Sequence, residues 1–354
     1  MVTSTTKSAV ISGATSYIPI SRDPLNVINL TAGQTSEVTL KSIYIIRDIY
    51  LTISIPVLFG TTAPVASDIQ PGDEWGFIQR ADLRINNGKI RTSLTGEQLV
   101  MMAYLNARFI RNIPSNLKTL PAASTAATFT STIPLLVKLP TVEKPLDFSL
   151  NANFIPVLSL SITAGSLTNF LTTAGATLNG TPTITISTHE ALPRNIAAQP
   201  VFNYLETDYQ QVGLSNGPLQ DLLLPTDTTY LRVFLNSKTT TGLDVNAITA
   251  MELKAAAYQP LDCLPNVELE AYYLDHQIPR FISPFVNTYF LPQAWIPMDF
   301  VRDKYVTEAL NLIGQKVSGF KVSTNLACNV NAIMLKVQPT VVQTISTTPA
   351  AAAA

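Results

Sequence analysis

The chain has 354 residues and only 13% are charged, against roughly 25% in an average soluble protein. With 23 Lys/Arg, 24 Asp/Glu and a net charge of −1 it is no polybasic nucleic-acid binder. A mean hydropathy of +0.23 is too high for an intrinsically disordered chain, and the length predicts about two domains with ample core.

The N-terminal stretch Met1–Ser21 holds one short apolar patch, Ala9-Val10-Ile11, where a secretory h-region needs about 7–15 apolar residues. It reads as an arm. Strand signals begin in earnest with Val38–Leu58, rich in β-branched and aromatic residues. In Phe77–Leu94, Arg80, Asp82 and Arg84 alternate with Ala81, Leu83 and Ile85. Asn87-Gly88 supplies a type I′ turn, and Lys89, Arg91 and Ser93 alternate with Ile90, Thr92 and Leu94 on the return. If Arg80 and Arg84 share a face with Asp82, this densest basic group is a salt-bridged face rather than a phosphate track.

A helix comes next. Thr95 is its N-cap and Gln98 completes a capping box, with Glu97 in the first turn and Leu99, Met102 and Leu105 as the apolar stripe. Strands are expected at Phe129–Leu139, Ser149–Thr163 and Pro182–Thr188. Phe148–Thr188 carries no charge, yet Ser, Thr and Asn interrupt it throughout, so it reads as strands and not as a membrane helix. Ala191–Gln199 reads as a linker. Further strands fall at Val201–Tyr209, Thr229–Asn236, Ala247–Tyr258, Lys316–Ser323 and Asn329–Val337, with a helical stretch at Val267–Leu274. The Pro/aromatic-rich Ile278–Phe300, with Trp295, reads either as a packing segment between subunits or as a core aromatic cluster.

At an offset of 170 residues the chain repeats an order of elements. Asp82-Leu83-Arg84 falls on Glu252-Leu253-Lys254, Leu94 on Leu264 and Leu99 on Leu269. Each copy runs strand, hairpin, short helix, more strands, which predicts two β-rich domains in tandem with a split near residue 195. Residues 1–198 hold 14 Lys/Arg and 11 Asp/Glu, net +3, and residues 199–354 hold 9 and 13, net −4.

Catalytic material is scarce. Cys263 and Cys328 suffice for neither a disulfide framework nor a zinc site and read as small buried hydrophobes. His189 and His276 lack metal-spaced partners and read as structural. Glu268 with Glu270 and Asp73 with Glu74 are local carboxylate pairs, whereas a glycosidase needs carboxyls facing across a cleft. Gly213-Leu214-Ser215-Asn216-Gly217 matches the nucleophile elbow, with Asp221 or Asp244 and then His276 in hydrolase order. The elbow needs a strand before and a helix after. Pro225 and turn residues interrupt Leu219–Thr229, so a turn is the better reading. No catalytic, cofactor-binding or metal residue is therefore assigned. A carbohydrate-binding β-sandwich and a β-rich hydrolase acting through Ser215 or a carboxylate pair stand as the alternatives to a building block.

The passage GFIQRADLRINNGKIRTSLTGEQLVMMAYL, Gly76 to Leu105, resembles the double jelly-roll major capsid proteins of tectivirus-type and related icosahedral bacterial viruses. The resemblance implies an all-β fold with a few short helices, built as two tandem jelly-roll sandwiches. It places an N-terminal arm at 1–24, a first roll at 25–194, a second at 195–339 and a tail at 340–354. It further implies a homotrimeric, pseudo-hexameric capsomer of a virion shell, assembled in the host cytoplasm. The partners would be neighbouring capsomers and, beside them, minor capsid, penton and membrane-associated virion proteins. The termini Val2–Ser21 and Thr340–Ala354 would reach neighbours or an internal membrane. No cofactor and no sequence-specific nucleic acid is implied.

Overall fold

The computed structural model describes residues 17–40, 45–70, 72–85, 89–107, 120–139, 149–151, 155, 157–193, 204–240, 242–255, 261–276, 295–301, 309–314 and 318–338. In chain order the first part gives β1 (Tyr17–Asn29), β2 (Thr35–Thr39), β3 (Ile45–Leu58), β4 (Ile78–Ile85), β5 (Lys89–Leu94), α1 (Gly96–Ala107), β6 (Ala126–Leu135), β7 (Leu150–Asn151), β8 (Leu158–Ala164), β9 (Thr177–Leu178) and β10 (Thr183–Pro193). The second gives β11 (Tyr204–Leu214), β12 (Gly217–Leu223), β13 (Thr229–Thr239), β14 (Gly242–Leu243), β15 (Ile248–Ala255), β16 (Leu261–Cys263), α2 (Pro265–Asp275), β17 (Ile296–Asp299), β18 (Leu310–Asn311), β19 (Ser318–Thr324) and β20 (Cys328–Gln338).

Both parts use one strand order. The first forms β1-β10-β3-β6 facing β2-β8-β4-β5, and the second forms β11-β20-β13-β17 facing β12-β19-β15-β16. These are two tandem jelly-roll sandwiches. β4 and β15 start at Ile78 and Ile248, the 170-residue offset that the sequence shows, and a helix succeeds each hairpin. One sheet runs on from β5 into β11, so the two rolls share a sheet of ten strands.

Alternation builds the walls. In β3, Ile49, Leu51, Ile53, Ile55 and Val57 are buried, while Tyr50, Thr52, Ser54 and Pro56 between them are half-buried. Burying each of those large aliphatic side chains stabilises the fold by about 1.5–3 kcal/mol, an upper estimate. Across the ladder Thr52 lies opposite Thr132 and their hydroxyls meet at 2.7 Å. α1 carries its capping box: Gln98 N–H donates to Thr95 Oγ1 at 3.3 Å and Thr95 N–H to Gln98 Oε1 at 2.9 Å. Gly96 opens the helix because a Cβ there would sit 1.7 Å from the Trp75 carbonyl oxygen. Leu99, Met102 and Leu105 are buried, as their spacing predicts, and so are Met101 and Ala103, so α1 is covered nearly all round.

Several boundaries differ from expectation. The arm read as residues 1–24 gives up Tyr17 onward to β1, a strand masked in the sequence by Pro19 and Pro24. Both prolines are tolerated because β1 is an edge strand, paired among the described strands with β10 alone and shifted in register between Arg22 and Asn26. Of the expected linker Ala191–Gln199, the first three residues end β10. The run Val38–Leu58 is two strands, β2 and β3, which lie in opposite sheets. Asn87-Gly88 lies outside the described residues, but the strands flanking it pair antiparallel from Ile85 opposite Lys89 to Ala81 opposite Leu94. Trp295 is buried in the main core, so it is a core aromatic, and the segment before it lies outside the described residues.

Candidate assembly site at the join between the rolls

The join is made by backbone first. β5 and β11 run parallel where Thr92 lies opposite Thr207, the one parallel pairing among the described strands. Its flanks carry an ion-pair chain. Arg91 on β5 meets Glu206 on β11 at 2.7 Å, Glu206 meets Lys336 on β20 at 3.0 Å, and Lys336 meets Asp208 at 2.6 Å. Arg91, Glu206 and Lys336 are largely buried. Burial pulls the Lys336 ammonium down, but the hydrogen bond and charge of Asp208 and the charge of Glu206 outweigh it and hold it above its ordinary range.

Deeper in, Arg232 on β13 is fully buried. Its Nε donates to Asp299 Oδ1 at 3.0 Å and its Nη1 to Asn106 Oδ1 on α1 at 2.9 Å. Asp299 ends β17 and sits directly opposite Arg232 in the ladder. Its other oxygen is 2.6 Å from His276 Nε2, just past the end of α2. That nitrogen therefore carries the proton, and its 3.4 Å approach to Arg232 Nη2 is a contact between two donors. Burial alone would push the Asp299 carboxyl up. The His276 hydrogen bond and the Arg232 charge more than offset this and hold it below the usual carboxylate range. Tyr272 completes the group: its ring stands edge-on to His276 with centroids 4.3 Å apart, and its hydroxyl donates to the Leu105 carbonyl at 3.1 Å.

The cluster is a fastener. It gathers the C-terminal turn of α1, the end of α2, β13 and β17 at one point, so the helix of the first roll is registered against the sheet of the second. Apolar packing takes the same line, since Leu231, Phe234, Ile333 and Leu335 of the second roll belong to the main core that fills the first.

The elbow pattern comes apart in the structure. Ser215 lies in a strand-to-strand turn between β11 and β12, and its N–H and Oγ both engage the Gln220 side chain. Asp221 pairs with Lys321 at 3.2 Å, and Asp244 accepts from the Asn246 N–H. His276 is held by Asp299. His189 stacks edge-on to Tyr50 at 4.9 Å. Asp82 is buried between Arg80 at 2.7 Å and Arg84 at 3.3 Å, the neutralised face read from the sequence. Cys328 is a buried free thiol, and the Cys263 side chain is outside the described set. No group of three or more metal-ligating side chains occurs among the described residues, and no helix among them is long and apolar enough to cross a membrane.

No family model matches the sequence, and no curated relative does. Solved structures do. The chain is similar to the major capsid protein of Sulfolobus Turreted Icosahedral Virus at 15% identity and a TM-score of 0.68, covering 92% of this chain and 97% of that one. Against the major capsid protein P2 of bacteriophage PM2 the identity is 9% and the TM-score 0.59, covering 92% and 98%. Against the Faustovirus major capsid protein they are 8% and 0.57, covering 96% and 92%. At such identities the likeness is one of fold, spanning more than nine-tenths of each chain.

Proposed function

We propose that the chain is the major capsid protein of an icosahedral virus, a structural protein whose work is assembly. The observation that carries this reading is the double jelly-roll itself, matched over nearly the whole length of three viral coat proteins. The buried join supports it, because two rolls locked by Arg232 and Glu206 present one rigid block to a lattice. In this reading the chain divides into an arm (1–24, with its last residues drawn into β1), rolls at 25–194 and 195–339 and a tail (340–354). Three copies close into a pseudo-hexameric capsomer, six rolls in outline. Minor capsid, penton and membrane-associated proteins contact it in the virion, assembly takes place in the host cytoplasm, and the termini reach neighbours or an internal membrane.

The test is sedimentation and negative-stain microscopy of the purified chain. A particle of about 115 kDa, three times the 38.4 kDa chain, with a hexagonal face is expected. A monomer at all concentrations overturns the capsomer.

A further inference from the structure

The dipeptide Asn-Gly occurs three times, at Asn87-Gly88, Asn179-Gly180 and Asn216-Gly217. It is the pair in which an asparagine side-chain amide is most open to attack by the next backbone nitrogen, because glycine has no Cβ to shield that nitrogen. The first pair lies outside the described residues, so the structure compares the other two. Asn179 lies between β9 and β10 and Asn216 between β11 and β12, and both are exposed.

The two turns differ in how their backbone is held. Around Asn216 the Gln220 side chain grips both flanks: its Oε1 accepts the Ser215 N–H at 2.9 Å, and its Nε2 donates to the Gly217 carbonyl at 3.2 Å. Thr324 Oγ1 donates to the Ser215 carbonyl at 2.7 Å, and Gly217 already sits in β12 opposite Thr324. Turning the Asn216–Gly217 peptide toward the Asn216 side chain would break that set. At Asn179 the anchors lie farther out. The Pro56 carbonyl accepts the Asn179 N–H at 2.9 Å, and the Pro182 carbonyl accepts the Leu30 N–H at 2.8 Å. Between them, among the described residues, no hydrogen bond engages the Asn179 side chain, Gly180 or Thr181. Gly180 takes φ +126°, a conformation that glycine alone adopts freely, and Leu178, Asn179, Gly180 and Thr181 are all exposed.

We infer that Asn179 is a site of self-modification, at which the folded chain converts an amide into a carboxylate with water as the sole co-reactant. The Gly180 nitrogen gives its proton to solvent and bonds to Asn179 Cγ. The Cγ–Nδ2 bond breaks and ammonia leaves, taking up a proton, which closes a cyclic succinimide. Water then opens either carbonyl of the ring, to aspartate or to isoaspartate, whose main chain is longer by one carbon. Nothing is oxidised or reduced. The place gives the change a consequence. The strand segments around the turn are Ser54–Leu58 of β3, Ala126–Thr130 of β6, β9 and the start of β10 at Thr183. They hold no charged residue, and Leu58 and Leu178 are exposed at 42% and 37%. A carboxylate at 179 is the lone charge among them, and the converted fraction records the age of the chain.

The experiment ages the purified full-length chain in buffer and follows both sites by peptide mapping with mass spectrometry. In the folded chain aspartate and isoaspartate are expected at 179 several-fold faster than at 216. The rate at 179 is expected to rise from acidic to alkaline buffer, because the attacking nitrogen must shed its proton. In the chain unfolded in urea the two sites are expected to react at comparable rates, which separates the fold from the local sequence. Gln220→Ala removes the clamp on the second turn and is expected to speed conversion at 216 several-fold, with circular dichroism and thermal melting to show that the fold is kept. An unmodified Asn179 in the folded chain, or a rate at 179 no greater than at 216, overturns the site. An unchanged rate at 216 in folded Gln220→Ala overturns the clamp as the difference between the two turns.

Discussion

Arg232 and Asn106 are 126 residues apart in sequence and 2.9 Å apart in space, and their hydrogen bond ties the strand that spans the second roll to the helix that closes the first. A buried guanidinium is costly to desolvate, so this group sets which helix lies against which sheet more than it adds net stability.

Arg232→Ala takes the guanidinium away from the buried Asp299 carboxylate and is expected to cost about 3–5 kcal/mol, read by denaturant unfolding. The pair variant Arg232→Met with Asp299→Leu, which removes both charges and keeps volume, is expected to recover part of that loss.

Asn106→Ala removes the Oδ1 acceptor that Arg232 Nη1 meets at 2.9 Å. The expected loss is about 1–3 kcal/mol, with a smaller effect from Asn106→Asp, which keeps an acceptor oxygen.

Glu206→Gln keeps the shape of the ion-pair chain and takes away its charge, leaving Arg91 and Lys336 largely buried beside a neutral amide. The expected cost is about 1–3 kcal/mol, read as a lower melting temperature that falls further in variants also lacking Asp208.

Asp299 is held below its unfolded value, so its contribution is complete above about pH 4, the unfolded range. It is lost as pH falls through the lower folded value. Lys336, Tyr230 and Tyr273 are held above theirs, the two tyrosines chiefly by burial. Their contributions are complete below about pH 10 and are lost as pH rises beyond it. Melting temperature against pH is expected to fall at both ends, and Asp299→Asn is expected to flatten the acid limb alone.

Gly96→Ala puts a methyl into the Trp75 carbonyl, backbone against backbone, where no rotamer change relieves it. A loss of about 3 kcal/mol or more is expected, seen as insoluble expression or early melting.

Much of the fold was legible because it is written locally. Thr95 and Gln98 lie three residues apart, the Arg80–Asp82–Arg84 face lies on one strand, and the repeat is an order of such local units. β1 and β12 were hidden by Pro19, Pro24, Gly217 and Pro218, residues that edge strands tolerate and sequence patterns read as breaks. The join was illegible because it gathers residues from four distant elements. One signal was available: Arg232 is the lone charge in the apolar run Tyr230–Leu235, and a charge placed so in a strand implies a buried partner. The isolation of His276 in the sequence points to a structural role, and the structure gives that role its partners, Asp299 and Tyr272.

The place of β20 has a consequence for how the molecule is made. It is the last described strand, yet it lies in the middle of its sheet, between β11 and β13, and supplies Lys336 to the join. A ribosome delivers the whole of the first roll, helix included, long before that strand emerges. The nascent chain therefore carries a finished sandwich with the end of α1 bare, and behind it a second one that cannot shut until residue 338 has been synthesised. A chain truncated before β20 would leave that surface permanently open, a state suited to chaperone capture.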